Sequence, residues 1–355
     1  MKESKKAEVD KLKVLDELAG DLPIFQEQDY VTSTRMIKTG SLALDMAIGG
    51  GYPSGIVDTY GAESAGKSLL SIMAIAQVQK AGGVAVVWDA ERSYSKNLNW
   101  MRINGVDTAK VRFLKLRPKE GCEIGFDAIE KIVENKAADL IVVDSIPALV
   151  PQDAIDKGMT EHEIMGRRAF LVTRFCSRSF AMLDESQTTV LLINQIRANI
   201  ASGPAAAFAP KTKETSNLSL RHAAGLRLRV EKISKPNIVD GLPASHRVRV
   251  TAVKNKVSVP YRVAEFDISY QNGVDTTAEV ADILIGAKEV VKNGAWFTWE
   301  GQRYQGRAEL VNAMRDPKVF EKALKKATSV KTNTFGVTDQ SESDSLSVKE
   351  EGDGE

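Results

Sequence analysis

Cysteine and histidine are scarce in this sequence, with two cysteines and three histidines in 355 residues. Cys122 and Cys176 each lack a C-x-x-C partner and the histidines are scattered, so no zinc-ligand spacing occurs. A disulfide scaffold and a structural zinc module are excluded, and a reducing, cytoplasmic setting is expected. Long apolar runs are lacking too. No stretch approaches the roughly 18 consecutive apolar residues of a membrane span. The first residues mix charges without an apolar core, so neither a secretory leader nor a membrane partner is expected. An excess of one charge is also missing, the formal net value being +1.

That near-zero value hides a division. Residues 339–355 hold seven acids and one lysine, a net of −6, so against the whole-chain +1 the remainder carries +7. Taken alone, the tail reads first as a solvated, disordered segment and second as a pointer toward nucleic acid. What the chain does have is apolar content: 43% of residues are hydrophobic, enough for a sizeable core.

Periodicity divides the chain. Leu12, Leu15, Leu18 and Ala19 share one helical face, so residues 1–34 read as a helical arm that needs a surface to cover it. From about residue 35 apolar runs alternate with helical patterns. Residues 55–60, 84–88, 140–143 and 189–193 read as buried strands, and 67–80 and 161–183 as helices. This is an α/β pattern with a mostly parallel central sheet. Residues 224–231, 247–253 and 263–269 alternate as later, partly antiparallel strands. The core is expected to run over 35–272, a small C-terminal α/β appendage over 273–330 and a disordered acidic tail over 331–355.

Gly61-Ala62-Glu63-Ser64-Ala65-Gly66-Lys67-Ser68 fits G-x-x-x-x-G-K-S/T in full, between an expected strand and an expected helix. Glycines let such a loop turn its N–H groups onto phosphate oxygens, and the helix N-terminus adds positive partial charge. Lys67 would reach the β- and γ-phosphates of ATP, and the Ser68 hydroxyl would ligate Mg²⁺. Asp144 ends an apolar strand, where a metal-supporting carboxylate is needed. Glu91 ends another and is the first choice for the base that activates water. The blander alternative is that Asp89 or Glu91 only caps the following turn. Gln195 follows the strand at 189–193, where an amide can sense the γ-phosphate or merely open a turn.

These residues resemble a known family. Lys38-Thr39-Gly40-Ser41-Leu42-Ala43-Leu44-Asp45, Gly61–Ser68, Asp89-Ala90-Glu91, Ile141-Val142-Val143-Asp144-Ser145, Ile193-Asn194-Gln195-Ile196-Arg197 and Val253-Lys254-Asn255-Lys256 occur in the order found in RecA-type recombinases of bacteria and their viruses. The likeness runs from about residue 35 to 325. It implies a RecA-like P-loop ATPase core with an N-terminal oligomerisation arm. It also implies a DNA-dependent ATPase in recombination and repair that forms a helical homo-oligomer on single-stranded DNA and pairs it with homologous double-stranded DNA.

Residue by residue, the resemblance gives Lys67, Ser68, Asp144 and Glu91 the roles above. Gln195 would couple the γ-phosphate to a DNA loop. Lys254 and Lys256 would reach the ATP of a neighbouring subunit; without the resemblance they are solvated charges on one strand face. Trp100 falls where an aromatic stacks on adenine, with a buried core tryptophan as the alternative. Two DNA-binding loops are implied at about 154–166 and 197–217, with Met165, Gly166 and Ile200 touching DNA. Arg168, Arg174 and Arg197, with Arg167 and Arg178, would form a cationic track, or else a solvated or ion-paired face. The second loop departs from the family, with Asn199 in place of a lysine and Ser216-Asn217 in place of two glycines. Two rivals share parts of this pattern: a ring helicase of the same superfamily, and a recombination mediator with a relic ATP site.

Overall fold

The computed structural model describes residues 34–198, 212–214 and 218–330, with 10–12 and 15, and gives backbone alone for 197, 198 and 212–214. The chain divides into two compact units, residues 1–35 and 36–355. In the first, Lys11, Leu12 and Leu15 are helical and both leucines are exposed. The expected acidic tail at 331–355 and most of the expected arm lie outside the described residues.

The second unit opens with β1 (Met36–Ile37), α1 (Leu42–Ile48) and β2 (Tyr52–Pro53). The alternating part follows as β3 (Gly55–Gly61), α2 (Lys67–Lys80), β4 (Ala85–Asp89), α3 (Leu98–Ile103), β5 (Arg112–Leu114), α4 (Cys122–Glu134) and β6 (Leu140–Asp144). Then come α5 (Gln152–Lys157), α6 (Glu161–Ser186), β7 (Thr189–Ala198), β8 (Thr212–Glu214) and α7 (Leu218–Ala223). The core ends with β9 (Leu226–Lys232), β10 (Asn237–Val239), β11 (Leu242–Asn255), β12 (Val263–Ser269) and β13 (Gly273–Val274). The appendage holds α8 (Thr276–Gly286), β14 (Val291–Asn293), β15 (Trp296–Trp299), β16 (Gln302–Gln305), α9 (Gly306–Ala313) and α10 (Pro317–Ser329).

The main sheet runs in the order β13-β12-β11-β9-β3-β7-β6-β4-β5. Strands from β9 to β5 are parallel, whereas β9, β11, β12 and β13 pair antiparallel to one another. The apolar runs are continuous because each strand feeds two cores. Val57, Val87, Leu140, Val142, Leu191 and Ile193 face the cluster that contains α2. Their strand neighbours Ile56, Val86, Trp88, Ile141, Val143, Val190 and Leu192 face the cluster that contains α4 and α6. The period-two alternation of a strand thus divides one run between two layers.

Two boundaries differ from the sequence reading. β7 continues through Ala198, so Asn194 and Gln195 lie inside a strand, and β8 pairs antiparallel with its far end. The expected first DNA loop at 154–166 is mostly helical. Pro151 starts α5 and Gly158, at φ 65°, ends it. A reciprocal cap then starts α6: Thr160 Oγ1 accepts from Glu163 N, and Glu163 Oε2 accepts from Thr160 N at 2.8 Å.

The appendage has its own core of Val280, Leu284, Trp299, Leu310 and Met314. Polar contacts join it to the large sheet. Buried Glu279 on α8 caps the N-terminus of α1, accepting from Ser41 Oγ and from Leu42 N and Ala43 N, both at 3.1 Å. Asp282 accepts from Arg247 Nη2 at 2.9 Å and Arg307 Nε at 2.6 Å.

Candidate active site

Strand register builds the site. In the parallel ladder Gly61 lies beside Gln195, and Asp89 beside Asp144. The apolar runs of four neighbouring strands therefore stop along one edge, at Gly61, Asp89, Asp144 and Asn194-Gln195, with β7 itself running on to Ala198. This is the carboxyl edge at which open α/β sheets bind ligands.

Glycine is required at two points of the phosphate loop. A Cβ on Gly61 would lie 2.1 Å from the Val230 carbonyl oxygen. Gly66 has φ +100°, a left-handed conformation that opens α2 at Lys67. Lys67 is buried, and its Nζ donates to the carbonyls of Gly61 at 3.0 Å and Ala62 at 2.6 Å. Burial lowers its pKa, opposed by the charges of Asp144, Glu91 and Glu63.

Ser68 Oγ donates to Asp144 Oδ2 at 2.7 Å. Asp144 is only 2% exposed, and burial pushes its carboxyl up to about 6, with the Ser68 bond opposing and the Glu91 charge adding. A hydroxyl beside a carboxylate is a hard-oxygen pair, which fits Mg²⁺. Among the described residues no group of three or more His, Cys, Asp or Glu could hold a metal.

Glu91 Oε1 accepts from Gln195 Nε2 at 3.1 Å and from Ser145 Oγ. Asp89 instead caps the turn, its two oxygens accepting from Ser93 N at 2.8 Å and Ser95 N at 2.9 Å. Of the two acids considered for the base, Glu91 is the one turned toward Gln195. Sequence reading missed Ser145, although it directly follows Asp144 in a motif already singled out. It also missed Tyr94, a buried tyrosine whose hydroxyl bonds Ser71 Oγ on α2 and which no motif marks.

Other expected residues are not drawn into this group. Lys254 Nζ donates to the carbonyls of Arg221 at 2.7 Å and His222 at 2.8 Å, near the end of α7. Burial lowers its pKa, and Lys256 and Arg227 lower it further. Lys256 Nζ sits 5.6 Å from the centre of the Phe180 ring. Trp100 is half-buried on α3 and packs against the same core as α2.

Met165 is 47% exposed near the start of α6, and a Cβ on Gly166 would meet open space. The arginines of α6 are engaged: Arg168 with the Pro147 carbonyl, Arg167 with Asp153, Arg174 with Asp127 and Arg178 with Glu130. The Arg197 side chain and Ile200 lie outside the described residues. Among those residues, no helix is long and apolar enough to cross a membrane.

A family model described as the RecA N-terminal domain matches residues 10–275. Protein RecA of Leptospira meyeri is 36% identical over 322 residues, spanning 88% of this chain and 79% of the relative. Protein RecA of Leptospira biflexa is 37% identical over 289 residues, spanning 79% of this chain and 71% of the relative. Protein RecA of Chloroherpeton thalassium is 35% identical over 299 residues, spanning 83% and 80%.

Proposed function

We propose that this chain, which belongs to the RecA family and is a recombination and repair recombinase of it, hydrolyses ATP with Mg²⁺ to control a filament on single-stranded DNA. The observation that carries this reading is the convergence of Lys67, Ser68, Asp144, Glu91 and Gln195 at one sheet edge. The family assignment disfavours both the ring helicase and the relic mediator.

Loop N–H groups and the α2 N-terminus would bind the ATP phosphates. The Lys67 ammonium, now on the Gly61 and Ala62 carbonyls, would move to the β- and γ-phosphates. Ser68 and Asp144 would hold Mg²⁺, which when bound neutralises phosphate charge. Glu91 would orient a water and take its proton. Trp100 would stack on the adenine.

Gln195 already bonds Glu91 and lies on β7, whose far end pairs with β8. A shift of Gln195 toward the γ-phosphate would therefore pass along β7 into the second DNA loop at 197–217. Lys254 and Lys256 would leave their present partners and stabilise the phosphates of a neighbouring subunit. Met165, Gly166, Arg168, Arg174, Arg197 and Ile200 would touch the strand. Residues 1–34 would join subunits, and the protein would act in the cytoplasm.

The test is phosphate release with and without single-stranded DNA, beside negative-stain images with a non-hydrolysable ATP analogue. DNA-stimulated hydrolysis and nucleotide-dependent filaments are expected. Closed rings, or no hydrolysis under any condition, would contradict the reading.

A further inference from the structure

Lys254 and Lys256 stand two residues apart on β11, and an unbroken strand would aim both into the layer that Ala252 faces. They do not go there. Val248, Val250 and Ala252 lie in the apolar cluster that contains α2. Lys254 and Lys256 instead reach α7 and α6, whose buried side chains belong to the opposite cluster. The cause is a bulge. Ala252 pairs with Leu228 and Lys254 with Arg227, so Val253 is an extra residue against β9. One inserted residue exchanges the faces of the residues that follow it.

The same exchange turns Asn255, between the lysines, toward the first layer. It pairs with Leu226, a member of that cluster, and meets the end of α1. Asn255 Nδ2 donates to the Ile48 carbonyl at 3.0 Å. Ile48 is the last residue of α1, so its carbonyl has no partner within the helix. Asn255 Oδ1 accepts from Val257 N and Ser258 N, both at 3.0 Å. Lys256 N donates to the Gly225 carbonyl at 2.9 Å, which carries the pairing one residue further. Two donors at one end of the amide and a carbonyl at the other leave it a single orientation. An ionised aspartate would have no donor for Ile48, and a leucine would satisfy none of the three.

We propose that Asn255 is the positioning residue for Lys254 and Lys256: it pins the bulged end of β11 to α1, so that both ammonium groups are presented on one side of the strand to a neighbouring subunit's nucleotide. This rests on the reading that the two lysines act in trans. Asn255 itself faces the other layer. With the backbone held between them, the lysines can leave Arg221, His222 and Phe180 by side-chain rotation alone. Without the pin, the segment from 254 to 258 keeps its charges but loses the fixed origin from which they reach. A misplacement of about 1 Å caused by a change remote from the chemistry can cost on the order of 10²-fold in rate.

The test uses the full-length protein and DNA-stimulated phosphate release. Asn255→Ala removes all three side-chain bonds. Its kcat should fall about 10²-fold with KM for ATP little changed, because the loop that binds the ground state is untouched. Binding of a fluorescent ADP to the free subunit should match the wild type. A wild-type kcat in Asn255→Ala overturns the proposal.

Mixing separates aim from stability. Asn255→Ala keeps its own loop and Glu91, and Glu91→Gln keeps well-aimed lysines. On shared filaments their mixture should exceed the summed activity of the two alone. Asn255→Ala mixed with Lys254→Ala/Lys256→Ala should show no gain, because both lack the same half. If Lys254→Ala/Lys256→Ala recovers with Glu91→Gln and Asn255→Ala does not, the lysines act in trans and Asn255 alone is rejected. If neither recovers, the shared site is rejected and Asn255 with it. Asn255→Asp covers the case in which Asn255→Ala does not fold. It keeps the acceptor for Val257 N and Ser258 N and loses the donor to Ile48, so its kcat should fall less, about tenfold, and recover with Glu91→Gln. Full activity of Asn255→Asp, or a loss that the mixture does not recover, would confine Asn255 to folding and overturn the proposal.

Discussion

The phosphate-loop end of the sheet and the Lys254–Lys256 end of β11 are assigned to the same reaction, yet they are built differently. At the loop, one chain assembles the whole group: Ser68 on Asp144, and Gln195 and Ser145 on Glu91. At the β11 end both ammonium groups are occupied elsewhere. Lys254 caps carbonyls of α7, and Lys256 lies over Phe180. Parallel register places Asp144 and Gln195, and the phosphate loop and the turn after β4 bring Ser68 and Glu91 to them. The second set is held on local partners, and on the proposed reading it would meet the phosphates of a neighbouring subunit. On that reading, folding alone would make one half of the site and assembly would have to make the other.

The largest expected effect breaks the folded half. Lys67→Ala removes the cation from the β- and γ-phosphates, and DNA-stimulated phosphate release should fall on the order of 10³-fold or more. Lys67→Arg should also turn over poorly, because a planar fork replaces a compact ammonium. Normal turnover in Lys67→Ala would remove the loop from the account. The assembled half comes next. Lys254→Ala/Lys256→Ala should keep nucleotide binding in the free subunit and lose DNA-stimulated hydrolysis by about 10³-fold, the lower end for a cation supplied in trans. Loss of nucleotide binding in the free subunit would mean that the lysines act in cis.

Glu91→Gln is expected to be milder. It preserves the shape that Gln195 and Ser145 hold but removes the base, so hydrolysis should drop about 10²-fold while DNA binding persists. Unchanged single-turnover hydrolysis would move the base elsewhere, with Asp89 next despite its capping bonds.

The smallest expected effect concerns the junction of core and appendage. Burial pushes the Glu279 carboxyl up to about 7 from its ordinary 4.5. The folded chain therefore holds a proton there that the unfolded chain has released. Stability from this group is present below 4.5 and declines as pH rises toward 7. Glu279→Gln should flatten that part of the slope, while costing about 1–3 kcal/mol for the lost acceptor. Thermal unfolding from acid to neutral pH tests it. Parallel slopes for the two proteins would assign the pH dependence to other groups.

Much of this was legible in the sequence because its causes are local. The phosphate loop is one contiguous spacing, and the central strands declare themselves because both faces are buried. What stayed hidden depends on distant partners. Asp89 and Glu91 look alike in sequence; only the positions of Ser93 N, Ser95 N and Gln195 Nε2 separate a turn cap from a site acid. The arginines of α6 resemble a free cationic track until the other elements bring Asp127, Glu130 and Asp153 beside them. The exposed pairs among these are worth little, and phosphates can compete for them. Tyr94 carries no signal in sequence, since its buried hydroxyl finds its partner, Ser71, on another element.

Whether the site is shared between subunits is tested most directly by mixing two inactive proteins. Glu91→Gln lacks the base, and Lys254→Ala/Lys256→Ala lacks the lysines. At a mixed interface the first would supply the lysines and the second an intact loop with Glu91. DNA-stimulated ATPase activity should therefore return in part, reaching its maximum at intermediate mixing ratios. No return at any ratio, with mixed filaments shown to form, would contradict the shared site and place the lysines in cis or on DNA.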